Sequence, residues 1–450
     1  METTKNRGSA SVYMICLLIP TVISICIILG YAMKVATNGM MWEAAGLAEN
    51  AVLASYNHPI KEAYGIFCYT KSEDNMENIA NRYFYKSMNG HMNGDMKVAY
   101  SGDSRLSDND VFVSEICTFM SRWDKVAEVT SHQSTYTYKH IMNQVWIIRS
   151  AMESHYNEAM DSGKIGEIQL SAEAQLVREN AFEKADTRLF RLSLNDVDYN
   201  YGGSLGNRID TKERVMTKDN EIAENILESI DILKNVESFY SPIDKAFESQ
   251  IYRNDNYMIA LYAYNNFSSF HRDSCIRLTG THFSNGDIVG VTSWTDSEFL
   301  LNSTNDHYNN SNRVKTMIFE SLFAEYMVGM YDELYASEEI KLYADAVCGD
   351  NEVLKPYVKD EIISGICASL AYEEMLNVYD YDGSGTLKTY PEFIQLFDML
   401  EVERDRDGFV DRIKYVIERS AATGPSAEAR EFRFSNAYTK VTVTNETVAP

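Results

Sequence analysis

The chain has 450 residues, 45% hydrophobic and 12% aromatic, with 66 acidic against 41 basic side chains and a formal net charge of −25. The hydrophobic share excludes a disordered tail despite the charge, and the acidity argues against nucleic acid and against docking on anionic lipid, both of which need a basic patch. A chain of this length holds two or three domains beyond a terminal segment.

Between Arg7 and Lys34 no charged side chain occurs. Residues 8–33 therefore predict a helix of about 39 Å, enough to cross a hydrocarbon core of about 30 Å. The expectation is a short tail over 1–8, a transmembrane helix over 9–33 and a single pass of the cell membrane. Lys5 and Arg7 precede the span closely, which places the N-terminus in the cytoplasm and the bulk of the chain outside. A cleaved signal peptide calls for a shorter apolar run and a small-x-small site. Here the run is long and Lys34 interrupts the candidate between Ala32 and Ala36, which favours a retained anchor.

The helix continues past the membrane as a stalk. Met40, Ala44, Leu47, Ala51 and Ala54 recur at three- and four-residue steps, with Glu43 and Glu49 off that stripe. His58-Pro59 stops it, because proline disfavours helical geometry in the residue before it. Beneath the stop comes an aromatic corner, in which Tyr56, Tyr64, Gly65 and Phe67 are candidates to seat the body of the protein on its stalk; plain core packing explains them equally well.

The run Arg7-Gly8-Ser9-Ala10-Ser11-Val12-Tyr13, followed by Leu17-Leu18-Ile19-Pro20, resembles the N-terminal segment of TadE/TadG-like proteins of bacterial Flp (Tad) pilus assembly. Leu53-Ala54-Ser55-Tyr56-Asn57, with Glu62-Ala63-Tyr64-Gly65-Ile66-Phe67, is similar to the segment after the anchor in uncharacterised TadG-like membrane proteins of Gram-positive bacteria. Weaker similarities follow in the same order: Leu106-Ser107-Asp108 with the helix over 112–123, the helix over 258–270, and Leu387-Lys388-Thr389-Tyr390-Pro391-Glu392-Phe393. The strand of that family falls here on Gly286-Asp287-Ile288-Val289-Gly290-Val291, so the strand carries over better than any role for its acidic residues. Tyr13 stands where a peptidase-processed prepilin carries Glu, so processing after Gly8 is not expected. The resemblance implies an extracytoplasmic structural component of a Tad/Flp-type pilus or related secretion apparatus, pseudopilin-like, acting by assembly rather than catalysis. Its partners would be membrane lipid, other membrane proteins of that apparatus, and further copies of itself through the N-terminal helix. Gly8, Pro20, Gly30 and Gly39 would shape close approach there.

Farther along, Ile141, Val145, Ile148, Met152 and Ala159 keep a helical rhythm, as do Leu170, Ala174, Val177 and Ala181, and then Ile222, Ile226, Ile230 and Leu233. These predict an antiparallel helical arm or bundle over 132–240, after a first part of the ectodomain over 34–131. Residues 241–450 mix both element types: strands over 288–292 and 438–443, helices at about 312–332, 338–348, 354–378 and 390–401. The expected fold is α+β, mostly α.

Five motifs invite chemistry. Asp380-Tyr381-Asp382-Gly383-Ser384-Gly385-Thr386-Leu387 matches the opening of an EF-hand loop, with Asp380, Asp382 and Ser384 as oxygen ligands, but position 12 is Pro391 and Glu392 falls one place late. Gly202-Gly203-Ser204-Leu205-Gly206 has nucleophile-elbow spacing, yet polar residues flank it where an elbow needs a buried strand. Asp405-Arg406-Asp407-Gly408-Phe409-Val410-Asp411 imitates a second calcium loop but lacks the glycine of position 6 and the glutamate of position 12, and reads as a solvated helix start; the eight histidines form no ligand pair. Cys68, Cys117, Cys275, Cys348 and Cys367 are odd in number and widely spaced, which is no disulfide framework. No cofactor is expected, with calcium the exception to test. A calcium-binding surface adhesin or sensor, and behind it an envelope hydrolase, remain the rival classes.

Overall fold

A computed structural model describes residues 7–89, 95–123, 133–165, 168, 174, 176–177, 222–269, 274–276, 282–284, 296–302, 307–381, 388–424 and 426–445. It is mostly helical, with two small two-stranded sheets. The chain divides into two compact units: residues 1–112 with 425–450, and residues 113–424.

The first unit begins with α1 (Arg7–Leu53), a continuous 47-residue helix of about 70 Å. It ends at Leu53, five residues before the predicted stop, and α2 (His58–Tyr64) starts at the histidine itself. Asn57 caps α2, its Oδ1 accepting from Ile60 N at 3.1 Å, and Pro59 occupies the first turn, where a missing N–H costs nothing. The helix α3 (Glu73–Ser87) follows, capped by Ser72 and carrying Glu73 and Asp74 against the positive end of its dipole. Strand β1 (Met96–Tyr100) then pairs antiparallel with β4 (Val441–Asn445) at the far end of the chain, Val98 opposite Val443. The strand expected over 438–443 is thus shifted: Tyr438 makes only isolated bridges, to Tyr69 and Arg105, and the ladder starts at Val441.

A sheet of two strands has two edges to protect, and α3 closes one of them with side chains. Glu73 Oε1 accepts from Tyr100 N at 2.8 Å, Glu77 Oε1 from Val98 N at 3.3 Å and Asn81 Oδ1 from Met96 N at 2.8 Å. Residues four apart on one helix face thereby meet amides two apart on a strand, since about 6 Å of rise matches about 6.8 Å.

The second unit is a helical assembly: α4 (Asn109–Met120) leads in from the boundary, then α5 (Gln133–Asp161), α6 (Ile222–Tyr240), α7 (Ile243–Tyr252), α8 (Asp255–Asn266), α9 (Asp296–Asn302), α10 (His307–Tyr335), α11 (Glu338–Cys348), α12 (Lys355–Tyr381), α13 (Tyr390–Arg404) and α14 (Arg406–Ala422). Between α8 and α9 lies the hairpin of β2 (Ser274–Ile276) and β3 (His282–Ser284). The pair α10 and α12 forms its centre. Helices α5 and α6 pack on each other and on both central helices, so the predicted stripe of Val145, Ile148, Met152, Ile226, Ile230 and Leu233 is buried within this unit. The helices predicted after residue 310 match α10 to α13 to within a few residues at each end. The strand predicted over 288–292 and most of the middle helix of the predicted arm lie outside the described residues.

Candidate functional site

The candidate site is α1 together with the corner under it. Residues 13–36 of α1 are exposed throughout, although their side chains are largely aliphatic. Among the described residues, α1 is the one helix long and apolar enough to cross a membrane. Seven residues past Lys34 its character changes. Met41, Ala44, Ala48 and Val52, spaced three, four and four, are buried and enter the core of the first unit with Met76, Ala80, Phe84, Met96 and Val98. One helix thus presents its apolar residues all round in its first half and along a single stripe in its second.

The four positions proposed for close approach fare differently. Gly8 and Pro20 both lie within α1, and Pro20 removes a backbone donor there. Thr21 Oγ1 hydrogen-bonds Leu17 O at 2.7 Å in the same turn. A Cβ added at Gly30 or Gly39 would meet nothing within 4 Å. Nine residues separate the two, which at 100° per residue puts them on opposite sides of the helix, so one partner helix cannot use both.

At the corner the structure brings the named aromatic residues together. The Tyr56 ring lies 4.6 Å from Phe67 and 4.1 Å from His58, and Phe67 meets Tyr69 edge-on at 5.6 Å. Lys61 Nζ donates to Tyr56 OH at 3.1 Å and sits 5.5 Å from the Phe67 centroid. Tyr64 is buried, while Gly65 ends α2 in the left-handed conformation (φ 72°) that closes the turn at no steric cost, its N–H donating to Lys61 O. Tyr69 OH then reaches back to Leu53 O at 3.2 Å, tying the segment to the end of α1, and burial raises the Tyr69 hydroxyl above its ordinary pKa.

The residue that the sequence reading left unassigned is Asn57. It is fully buried, and beyond its capping bond it donates from Nδ2 to Thr70 Oγ1 and to the Glu428 carbonyl, both at 3.3 Å. The signal was present: Asn before His-Pro is an N-cap with a proline in the first turn.

Asp380 stands in the last turn of α12, while Asp382, Ser384 and the elbow at Ser204 lie outside the described residues. Glu392 caps α13: its Oε2 accepts from Thr389 N at 2.7 Å and from Thr389 Oγ1 at 3.0 Å. Asp405 caps α14 through Gly408 N at 3.1 Å. Among the described residues no three His, Cys, Asp or Glu side chains are arranged to hold a metal ion. Two buried acids stand out in the second unit. Asp360 accepts from Tyr331 OH at 2.6 Å and lies 2.7 Å from His155 Nδ1. Asp398 is fully buried with no hydrogen-bond partner on either carboxylate oxygen.

Comparison with protein-family models, with curated proteins and with solved structures finds no match in any of the three.

Proposed function

We propose that this protein is a single-pass, membrane-anchored structural component of the bacterial envelope, with its N-terminus in the cytoplasm and its two units outside, and that it acts by assembly. The observation that carries this reading is the division of α1: an apolar stretch over 13–36 with every residue exposed, running without a break into a stripe that forms core. Leaving the thirteen Ile, Leu, Val and Met side chains of this stretch in water would cost roughly 1.5–3 kcal/mol each, whereas a bilayer solvates them. A continuous helix also transmits position from membrane to body, because the Met41–Val52 stripe is held by the unit that it carries. The resemblance to TadG-like proteins names the setting, a Tad/Flp-type pilus or related secretion apparatus, in which neighbouring membrane proteins would contact α1 and the Tyr56–Phe67 corner.

Photoreactive groups at Ile27 and Met40 of the full-length protein in its native membrane, followed by mass spectrometry, test this. Adducts to other single-span or platform proteins of an envelope assembly are the expected result. Adducts confined to lipid would overturn the assembly role.

A further inference from the structure

On the side of α1 facing away from its core stripe, two series of residues repeat every seven positions. Ile28, Val35 and Trp42 are large and exposed, at 65%, 53% and 81%. Ala32, Gly39 and Gly46 follow each of them by four residues, and a Cβ built on either glycine meets nothing within 4 Å. At 100° per residue both series lie roughly opposite Met41, Ala44, Ala48 and Val52. Large side chains and small ones alternating at steps of four and three form the seam of a two-helix coiled coil, in which a knob from one helix enters a hole in the other.

We infer that a second copy of this chain covers this face, α1 pairing with α1 in parallel so that Trp42 of each copy seats over Gly39 and Gly46 of the other. Lipid cannot serve as the cover. Trp42 lies about 13 Å beyond Met33 along the helix, whereas the headgroup layer on one side of a bilayer is only about 5–8 Å deep. A second copy meets the requirement directly, because an identical anchor sets the gap between its Gly39 and Gly46 level with Trp42 of the first, beside its own Trp42. Ile28, Ala32 and Val35 pack within the apolar stretch, where small residues let helices approach; Gly39 to Gly46 pack outside it, where apolar burial of Trp42 drives the contact. With one Trp of roughly 150–250 Å² per copy besides its aliphatic neighbours, the seam covers on the order of 1,000 Å², the lower bound for a specific pair. Glu49 takes the next place in the large series and sets like charges face to face, so it is a repulsive element of the seam.

The inference rests on the anchor reading for its parallel geometry, and the test separates the two. Single cysteines are placed at Val35, Trp42 and Gly46, or at Met40 and Leu47, which lie about a third of a turn or more away. The background is the full-length chain with all seven native cysteines replaced by Ser or Ala, expressed in membranes, oxidised and run without reductant. Disulfide-linked dimer at the first three positions and monomer at the other two is expected. Gly39→Leu and Gly46→Leu should abolish the dimer without lowering Tm, since an added Cβ meets nothing within 4 Å at either position, and Glu49→Leu should increase it. Equal dimer at all five positions, none at any, or crosslinks to a different protein would overturn the seam. Alkaline washing of the same membranes reads the anchor independently: release of the chain overturns membrane insertion, while the crosslink pattern still decides the pairing.

Discussion

Asn57 and Glu428, 371 positions apart, are joined by a hydrogen bond of 3.3 Å from the Asn57 amide to the Glu428 carbonyl. The same side chain caps α2 and reaches Thr70, so one buried residue holds the chain after α1, the segment after α2 and the C-terminal stretch together. Asn57→Ala removes the cap, worth about 1 kcal/mol, and leaves a buried carbonyl short of a donor at about 1–3 kcal/mol. The expected loss is about 2–4 kcal/mol, read as a fall in Tm of the full-length protein in detergent. Asn57→Asp keeps an acceptor for Ile60 N but loses both donors and sets a carboxylate oxygen against the Glu428 carbonyl, so it should lose stability although the cap is kept; an Asp variant as stable as wild type would refute the bridging role.

His155 pins α5 to the central pair of helices through Asp360, which Tyr331 also contacts. The hydrogen bond to Asp360 raises the pKa of His155, and burial raises that of Asp360 despite its two donors. Both shifts have one sign: the folded state holds the protons more tightly. The contribution of His155 is therefore fully present below about pH 6.5 and is lost as pH rises through its elevated folded value. Thermal unfolding across this range should show Tm falling toward the alkaline side, with the slope reduced in His155→Gln. His155→Ala should cost about 3 kcal/mol on the acid side, by removing a partner of a buried acid. A wild-type Tm that rises through that window would contradict the assignment.

Asp398 presents the opposite situation, a buried acid with no partner. Burial first, then Glu298 and Glu401, push its pKa well above the ordinary carboxylate range, against the pull of Arg412. With the folded pKa raised, the protein loses stability as pH climbs from the unfolded value near 3.9 toward the folded one. Asn is nearly isosteric, has no proton to lose and offers donors to the neighbouring acids. Asp398→Asn should raise stability at neutral pH and flatten the pH dependence. A destabilised Asn variant would show that Asp398 is charged and paired in the folded protein.

What could be read from residues alone follows the range of the interactions involved. The helix Glu338–Cys348 is legible because both ends are written locally, Ser337 capping Ile340 N and Gly349 in positive φ closing the other end. The start of α13 is legible in Thr389-Tyr390-Pro391-Glu392 for the same reason. The rhythm of Val145, Ile148 and Met152 announces a buried face but does not say against what, and the partners turned out to include α10 and α12, far along the chain. The four-residue polar spacing of Glu73, Glu77 and Asn81 carries no trace of the strand amides they meet. For α1, the apolar run was plain, whereas the opposition of Gly30 and Gly39 around the helix required the full length of the helix to be known.

Calcium at the loop opening with Asp380 would require a carboxylate near position 12, and Glu392 is already bound to Thr389 N and Oγ1. Recruiting it would uncap α13 at a cost of about 1 kcal/mol. The expected outcome of adding calcium during thermal unfolding is no change in Tm. A rise that disappears in Asp382→Asn would overturn this and make the loop a site. Glu392→Ala should lower Tm by a comparable amount with or without the ion.

The closure of β1 by α3 is tested by removing its members one at a time. Asn81 both accepts from Met96 N at 2.8 Å and donates to Met96 O at 3.3 Å, so it replaces one full residue of a neighbouring strand. Glu73 and Glu77 accept only, and as charged acceptors they form the stronger type of bond. Asn81→Ala should therefore cost about 1–3 kcal/mol and, by baring a strand edge, promote concentration-dependent association that wild type does not show. Glu73→Gln keeps an acceptor for Tyr100 N and should cost less than about 1 kcal/mol. Amide hydrogen exchange separates the edge from the ladder: Met96, Val98 and Tyr100 should exchange faster in the respective variants, while Lys97 and Ala99, which face β4, keep their protection. Faster exchange at all five residues would mean that the whole strand had been released, and that α3 holds β1 by packing rather than by these bonds.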